Sequence, residues 1–518
     1  MCKKKLRIVP RCLILSMALQ AFLVAHLQAS NFRLQLPEVF SDHMVIQSGV
    51  YVPIWGVSAP NRTVLVSFAN HSAVTNSDSN GNWALKLSPL AISFTPGVLR
   101  VNEGKEVVRF EDILVGEVWL CSGQSNMYMP LSPLEPWFHG VEGGEEQTQR
   151  PEQPEIRLYC NSTHKEWSGL KLKGWQRADS TSRRRFSAVA WFFGQDLQKA
   201  LNAPVGLMNI SGAGTSIQSW MPTEDLLNDP LVRRYRMIAE NNRHDIDEYL
   251  NAAGRYASAL NENRRDVKAP EPLSDELMLA MTFKDTLFNT QIQPIIPFAI
   301  RGVIWYQGES NSFYRETAEA YDRMLRSFIE GWRTFWEQKR LPFYVVQLPC
   351  WNKSKHWMIT RNGQLEAIES VQDAGLAVIL DISDTTDLHP KEKRQVGERL
   401  ARLALAKTYG RDIVCRGPVA KNILCKEDCL LITFDTGGGD IVLPNDSWND
   451  IEIAGQDGIF KPAMATFAGN KARVWNTDVC RPISMRYGWK NVFVASLFNS
   501  YGLPASPFVV SKAETNNK

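Results

Sequence analysis

The chain has 518 residues, 44% of them hydrophobic and 22% charged, with a formal net charge of +3. That balance excludes global disorder, and so small a charge excludes the basic stripe of a nucleic-acid binder. The length points to about three domains.

Residues 1–29 read as a secretory signal peptide. Lys3, Lys4, Lys5, Arg7 and Arg11 form its charged start, Cys12 to Ala25 its apolar run, and Leu27-Gln28-Ala29 its cleavage site. The apolar run is shorter than the roughly 20 residues of a bilayer span, and no later stretch is long and apolar enough to cross a membrane. Six glycosylation sequons follow, at Asn61, Asn70, Asn161, Asn209, Asn352 and Asn445. With the signal peptide they point to a secreted or lysosomal glycoprotein; Asn209, in a predicted buried strand, is the sequon least suited to a glycan. After signal removal the cysteines are Cys121, Cys160, Cys350, Cys415, Cys425, Cys429 and Cys480. Their number is odd, so at least one thiol is free or pairs between chains. Cys121, in an apolar strand, is read as a buried free thiol.

Residues 30–112 have strand character throughout and predict a β-sandwich. Val64 to Phe68 and Trp83 to Leu87 are strand-like, with Asn80-Gly81 between them as a hairpin turn. Residues 113–410 change rhythm. Short apolar runs at Val118–Cys121, Val205–Met208, Val303–Tyr306, Phe343–Val346 and Leu376–Leu380 suit strands buried on both faces. Between them Tyr321, Leu325, Phe328, Trp332 and Phe335 recur at helical steps, as do Val396, Leu400 and Leu403 before Gly410. Strand–helix alternation predicts an α/β domain, a three-layer αβα arrangement around a parallel sheet. Ligands bind beyond the carboxyl ends of such strands. A charged helical insertion, about 223–280, interrupts the rhythm and reads either as a lid or as a surface elaboration. Residues 411–518 return to β character, with a turn at Gly437-Gly438-Gly439, an extended segment from Leu503 to Phe508, and a polar tail after Val510.

Four of the strand ends carry chemistry. Cys121-Ser122-Gly123-Gln124-Ser125-Asn126-Met127 ends a strand in a glycine turn with a serine at its tip. A nucleophile there meets the positive end of the following helix. It is not the nucleophile elbow of α/β-hydrolases, because Met127 stands where the second glycine belongs. Taken alone, Ser125 reads as a turn or cap serine. Ser211-Gly212-Ala213-Gly214-Thr215 follows the second run, and its glycines let backbone N–H groups approach a ligand. Trp305-Tyr306-Gln307-Gly308-Glu309-Ser310-Asn311 follows the third and presents polar side chains. Asp387-Leu388-His389-Pro390 follows the last, with Pro390 expected in the first turn of the next helix. The remaining histidines show no metal-ligand spacing, so neither metal nor other cofactor is expected.

Serine, glycine, amide and Asp-X-His at successive strand ends resemble the blocks of the SGNH hydrolases. The match is closer to the sialate O-acetylesterase family. The segments that carry it are Trp119 to Met127, Phe186-Ser187-Ala188-Val189-Ala190, Gly302 to Asn311, Asp387 to Pro390 and Leu503 to Phe508. The resemblance spans about residues 33–508. It implies hydrolysis of O-acetyl esters of sialic acid, foremost the 9-O-acetyl ester, in lysosomes or outside the cell. It also implies Ser125 as nucleophile and His389 as base. Two departures stand out: Ala213 replaces a family glycine, and Thr386 stands three residues before the histidine where an acid is usual. Asp387, two before, or Asp384, five before, then orients His389, or the pair works as a dyad. With Asp387 in that role, the mechanism is a two-step acyl transfer. The backbone N–H groups of Ser125 and Gly214 and the side chain of Gln307 hold the oxyanion. Glu309 reads either as a second acid or, preferably, as a hydrogen-bonding residue within its loop. Arg315 and Arg361 stand near strand ends, and neither is assigned to the sialic acid carboxylate. The rival readings are an acetylesterase acting on xylan or another neutral polysaccharide, a non-catalytic glycan-binding protein, and a thiol enzyme using Cys121.

Overall fold

A computed structural model describes residues 33–134, 138–160, 174–222, 229–262, 264–283 and 287–511. The predicted signal peptide, the sequon at Asn161, part of the insertion and the tail from residue 512 lie outside the described residues.

The N-terminal strands are β1 (Val45–Gln47), β2 (Val52–Val57), β3 (Thr63–Phe68), β4 (His71–Asn76), β5 (Asn82–Leu87), β6 (Ser93–Glu103) and β7 (Glu106–Gly123). β2 pairs with β5, while β3, β4, β6 and the first part of β7 form the opposing layer. Val64, Val66, Leu99 and Val101 face Ile54, Trp83 and Leu87 in one core between them. Two details differ from the sequence reading. Asn80-Gly81 joins β4 to β5, and the strand that pairs with β3 in a hairpin is β4. The predicted break at residue 112 falls inside β7, which runs 18 residues from the sandwich into the central sheet.

That sheet also contains β8 (Gln153–Cys160), β9 (Trp175–Ala178), β10 (Val205–Ser211), β11 (Gly302–Tyr306), β12 (Phe343–Val346) and β13 (Ala374–Ala377). Its order is β13-β12-β11-β7-β10-β8-β9, parallel throughout except that β9 runs against β8. β8 and β9 were not predicted, because their alternating polar residues lack the continuous apolar run of an inner strand. β13 starts two residues earlier than predicted and ends at Ala377; Leu380 lies in a 3-10 turn.

Side chains alternate between the two faces, as a strand dictates. Trp119, Cys121, Ile304, Tyr306, Tyr344 and Val346 join the core under the helices Ala188–Leu201 and Arg394–Lys407. Leu120, Val303, Trp305, Phe343 and Val345 join the core on the other side, under the helix Tyr321–Phe335. The fold is therefore a three-layer αβα unit. The insertion supplies helices Pro230–Asn241, Arg243–Asn261 and Asp275–Met281, whose Val232, Tyr235, Ile246 and Leu279 enter this second core.

Residues beyond 418 form two four-stranded antiparallel sheets and one two-stranded sheet around Ile432, Phe434, Trp448, Tyr487 and Phe508. Arg361, buried, ties this region to the sheet edge by donating to the carbonyls of Pro349, Lys490 and Asn491. Asn209 is buried in β10, and its Oδ1 accepts from Ser211 at 2.7 Å. Cys121 is a buried free thiol whose pKa burial pushes well up. Among the described residues no helix is long and apolar enough to cross a membrane.

Candidate active site

The carboxyl ends of β7, β10 and β11 converge on Ser125. β7 ends at Gly123, whose φ is 141°. A side chain there would put its Cβ 2.1 Å from the Tyr306 carbonyl oxygen, so only glycine lets the serine turn lie flat on β11. Gln124 N–H then donates to Tyr306 O at 3.0 Å, and Gly212 N–H donates to Gly123 O at 3.0 Å. Ser125 opens a four-residue helical turn, Ser125–Tyr128, so its backbone N–H is among the amides that have no acceptor within the helix.

His389 reaches the same point from the far side of the chain. Its Nε2 lies 2.8 Å from Ser125 Oγ. The imidazole packs edge-on against Phe138, ring centroids 5.1 Å apart. Burial, and then the nearby Lys393 ammonium, pull its pKa down to about 4, with Asp387 acting in the opposite sense. The ring is therefore neutral at neutral pH, the form that accepts a proton.

Asp387 is placed differently from expectation. Its Oδ1 accepts from the backbone N–H of His389 at 2.8 Å and not from the imidazole. A carboxylate two residues before a histidine folds naturally onto that N–H as a local Asx turn, which competes with reaching the ring. Asp384 is exposed and accepts from Thr386 N–H and Thr386 Oγ1. Pro390 is not in the first helical turn either, because the helix starts at Arg394.

Gln307 also departs from expectation. It is fully buried, and its Nε2 faces three acceptors: Gln124 Oε1 at 3.1 Å, Thr215 O at 3.1 Å and Asn311 Oδ1 at 2.8 Å. Its Oε1 accepts from Tyr321 Oη at 2.8 Å. An amide with two hydrogens and three acceptors has none left for an oxyanion. Gln307 instead joins the three loops into one buried network, which Asn311 extends by donating to Gln218 Oε1 at 2.9 Å. Gly214 is exposed with φ of 69°, in open space on the β10 loop. Arg315 is exposed and pairs with Glu319.

Behind Ser125 lies a second network that the sequence reading did not assemble. Asn126 Nδ2 donates to Glu309 Oε1 at 2.6 Å and to Leu388 O at 3.0 Å, while its Oδ1 accepts from Lys393 Nζ at 2.6 Å. All three side chains are fully buried. Burial raises the Glu309 pKa and lowers that of Lys393 to about 7. The Glu309 bond thus runs across to the serine turn through Asn126, and not within its own loop as expected. Lys393 gave no signal, because Lys391-Glu392-Lys393-Arg394 reads as a solvated charged run.

Comparison with known proteins finds a match to the carbohydrate esterase family described as sialic acid-specific acetylesterase, over residues 115–252 and 282–406. Those segments are just over half of the chain. The sialate O-acetylesterase of Mus musculus is 25% identical over 523 residues, covering 90% of this chain and 92% of its own. That of Homo sapiens is 23% identical, covering 96% of each chain. Among solved structures, a carbohydrate acetylesterase from Xanthomonas citri superposes with a TM-score of 0.76 at 29% identity. It covers 92% of this chain and 100% of its own.

Proposed function

Because the chain belongs to the family of sialic acid-specific carbohydrate acetylesterases, we propose that it hydrolyses O-acetyl esters of sialic acid, the 9-O-acetyl ester foremost, through an acetyl-enzyme on Ser125. What supports this above all is the 2.8 Å contact between Ser125 Oγ and a neutral His389. His389 takes the Ser125 proton as the oxygen attacks the acetyl carbonyl, then delivers it to the departing sugar hydroxyl. Water next attacks the acetyl-enzyme with His389 again as base, and acetate leaves. The backbone N–H groups of Ser125 and Gly214 hold the oxyanion. Gln307 keeps the loops around it in register, and Asp387 fixes the backbone of His389 while its charge favours the imidazolium that forms.

The proposal includes a secreted or lysosomal location. The sequons at Asn61, Asn70, Asn352 and Asn445 support it, since all four asparagines are exposed. The test is acetate release from O-acetylated sialic acids and from acetylated xylan, with wild type and Ser125→Ala. Release that persists in the variant ends the serine assignment. Preference for xylan favours the second reading, deacetylation of a neutral polysaccharide.

A further inference from the structure

A lysine buried at the start of a helix is an expensive arrangement. Lys393 is fully buried, directly before the helix Arg394–Lys407, where the backbone amides already present positive charge. Its ammonium makes one hydrogen bond to a described side chain, Asn126 Oδ1, and lies 5.4 Å from the centre of the Tyr306 ring. The anion that favours the Lys393 charge most, Glu309, is reached through the Asn126 amide, and its Oε2 has no partner among the described residues. Two opposite charges are thus bridged by one neutral side chain directly behind the Ser125–His389 pair.

The bridge has a direction. In its ammonium form Lys393 only donates, so it holds Asn126 Oδ1 toward itself. That leaves Asn126 Nδ2 for the acceptors Glu309 Oε1 and Leu388 O. Leu388 is the residue before His389. Asn126 is the residue after Ser125. The amide orientation that Lys393 sets therefore ties the serine turn to the histidine loop by one hydrogen bond.

From this geometry, and resting on the serine-esterase reading above, we infer that Lys393 is a positioning residue of the reaction: it orients Asn126 to tether the His389 loop against Ser125. Among the described residues few groups face His389. They are the Ser125 hydroxyl, Lys393, Asp387 in its own loop and the Phe138 ring, with His139 beside it exposed. Facing Lys393 are Asn126, the Tyr306 ring, Glu309, Asp387 and Glu392. Lys393 is the only cation in either set besides the imidazoles. The lowered histidine pKa has burial as its first cause and Lys393 as its second.

The experiment compares Lys393→Met, Lys393→Gln and Lys393→Arg with wild type. It measures kcat/KM against pH for 4-nitrophenyl acetate, and the rate at which a serine-directed phosphonate labels Ser125 across the same pH range. Removing the cation raises the His389 pKa, so in the Met and Gln variants the acid limb of both profiles moves to higher pH by about one unit or more. In Lys393→Arg it stays near wild type. Plateau kcat falls about 10-fold or more in Lys393→Met, where Asn126 loses its donor, and less in Lys393→Gln, whose amide still donates. If Lys393→Met does not fold, Lys393→Gln decides. A folded neutral variant with an unchanged plateau kcat overturns the inference while leaving the esterase reading intact. Wild-type Ser125 that resists labelling at every pH, with activity persisting in Ser125→Ala, sinks the reading, and the inference falls with it.

Discussion

Ser125 and His389 meet at 2.8 Å, but they are held there by different means. Ser125 stands two residues past the end of an inner strand of the sheet, whose last residues and the following Gln124 are hydrogen-bonded to β10 and β11 on either side. His389 stands in the irregular stretch 383–393 between the 3-10 turn Leu380–Ile382 and the helix Arg394–Lys407. No strand ladder supports it. Its backbone is fixed by side chains: Asp387 takes its N–H, and Asn126 takes the preceding carbonyl. The serine half is rigid by secondary structure; the histidine half is rigid only as long as a few buried polar groups stay paired. Damage to the first is expected as a change in stability or an absolute loss of chemistry. Damage to the second is expected in the pH profile and in kcat.

The largest effect tests the shared point. Ser125→Ala is expected to lower kcat by more than about 10⁴-fold with an unchanged circular-dichroism spectrum. Next comes Asn126→Ala, which strikes both halves. It leaves Lys393 and Glu309 buried without their shared hydrogen-bonding partner, at a cost of about 1–3 kcal/mol for each unsatisfied group. A chemical-denaturation curve reads that loss, and residual kcat down by about 10²-fold reads the lost tether. A midpoint unchanged from wild type would mean that the Lys393–Glu309 pair is balanced some other way. Gly123→Ala attacks the serine half alone. With its Cβ 2.1 Å from Tyr306 O and its φ at 141°, β7 and β11 must part locally. A loss of about 1–3 kcal/mol is expected by thermal or chemical melting.

The pH profile sharpens the histidine side. In the proposed mechanism His389 must be neutral to accept the serine proton, and its pKa is pulled down to about 4. The acid limb of kcat/KM is therefore expected near pH 4, with activity retained above it and lost below. A limb near pH 6.5 would mean that the imidazole is solvated in the working enzyme. The smallest effect is expected from Asp387→Asn. Its Oδ1 still accepts from the His389 N–H, so kcat falls less than about 10-fold. The acid limb moves slightly down, because the carboxylate that favours the imidazolium is gone. A loss near 10⁴-fold, the size seen when a ring-bound triad acid is changed, would show that Asp387 turns to the ring during catalysis.

This contrast also explains what could be read in advance. The strands β7, β10, β11 and β12 announce themselves as apolar runs because both their faces are buried, and the loops after three of them carry the glycine and amide motifs. The Tyr321–Phe335 helix is legible for the same reason, through the spacing of Tyr321, Phe328 and Trp332. β8 and β9 escape because strands near a sheet edge mix Arg157 and Arg177 with their apolar residues. The partners of single side chains escape altogether. Asp387 has the right type and nearly the right spacing for a triad acid, yet a two-residue offset lets it satisfy a backbone N–H instead. Gln307 was read as a donor to the reaction because nothing in the sequence reveals that Tyr321, Gln124 and Asn311 surround it. Lys393 looks like surface charge, and only the convergence of distant segments shows it to be buried.

The length of β7 has a consequence for how the molecule can be taken apart. One uninterrupted strand belongs to the N-terminal sandwich at Val107 and to the reaction centre at Gly123. Deleting residues up to 112 would therefore strip hydrogen-bonding neighbours from the same strand that presents Ser125. The N-terminal part is expected to behave as a brace, impossible to remove or exchange without disturbing hydrolysis more than 20 Å away along the chain (about 3.3 Å per strand residue).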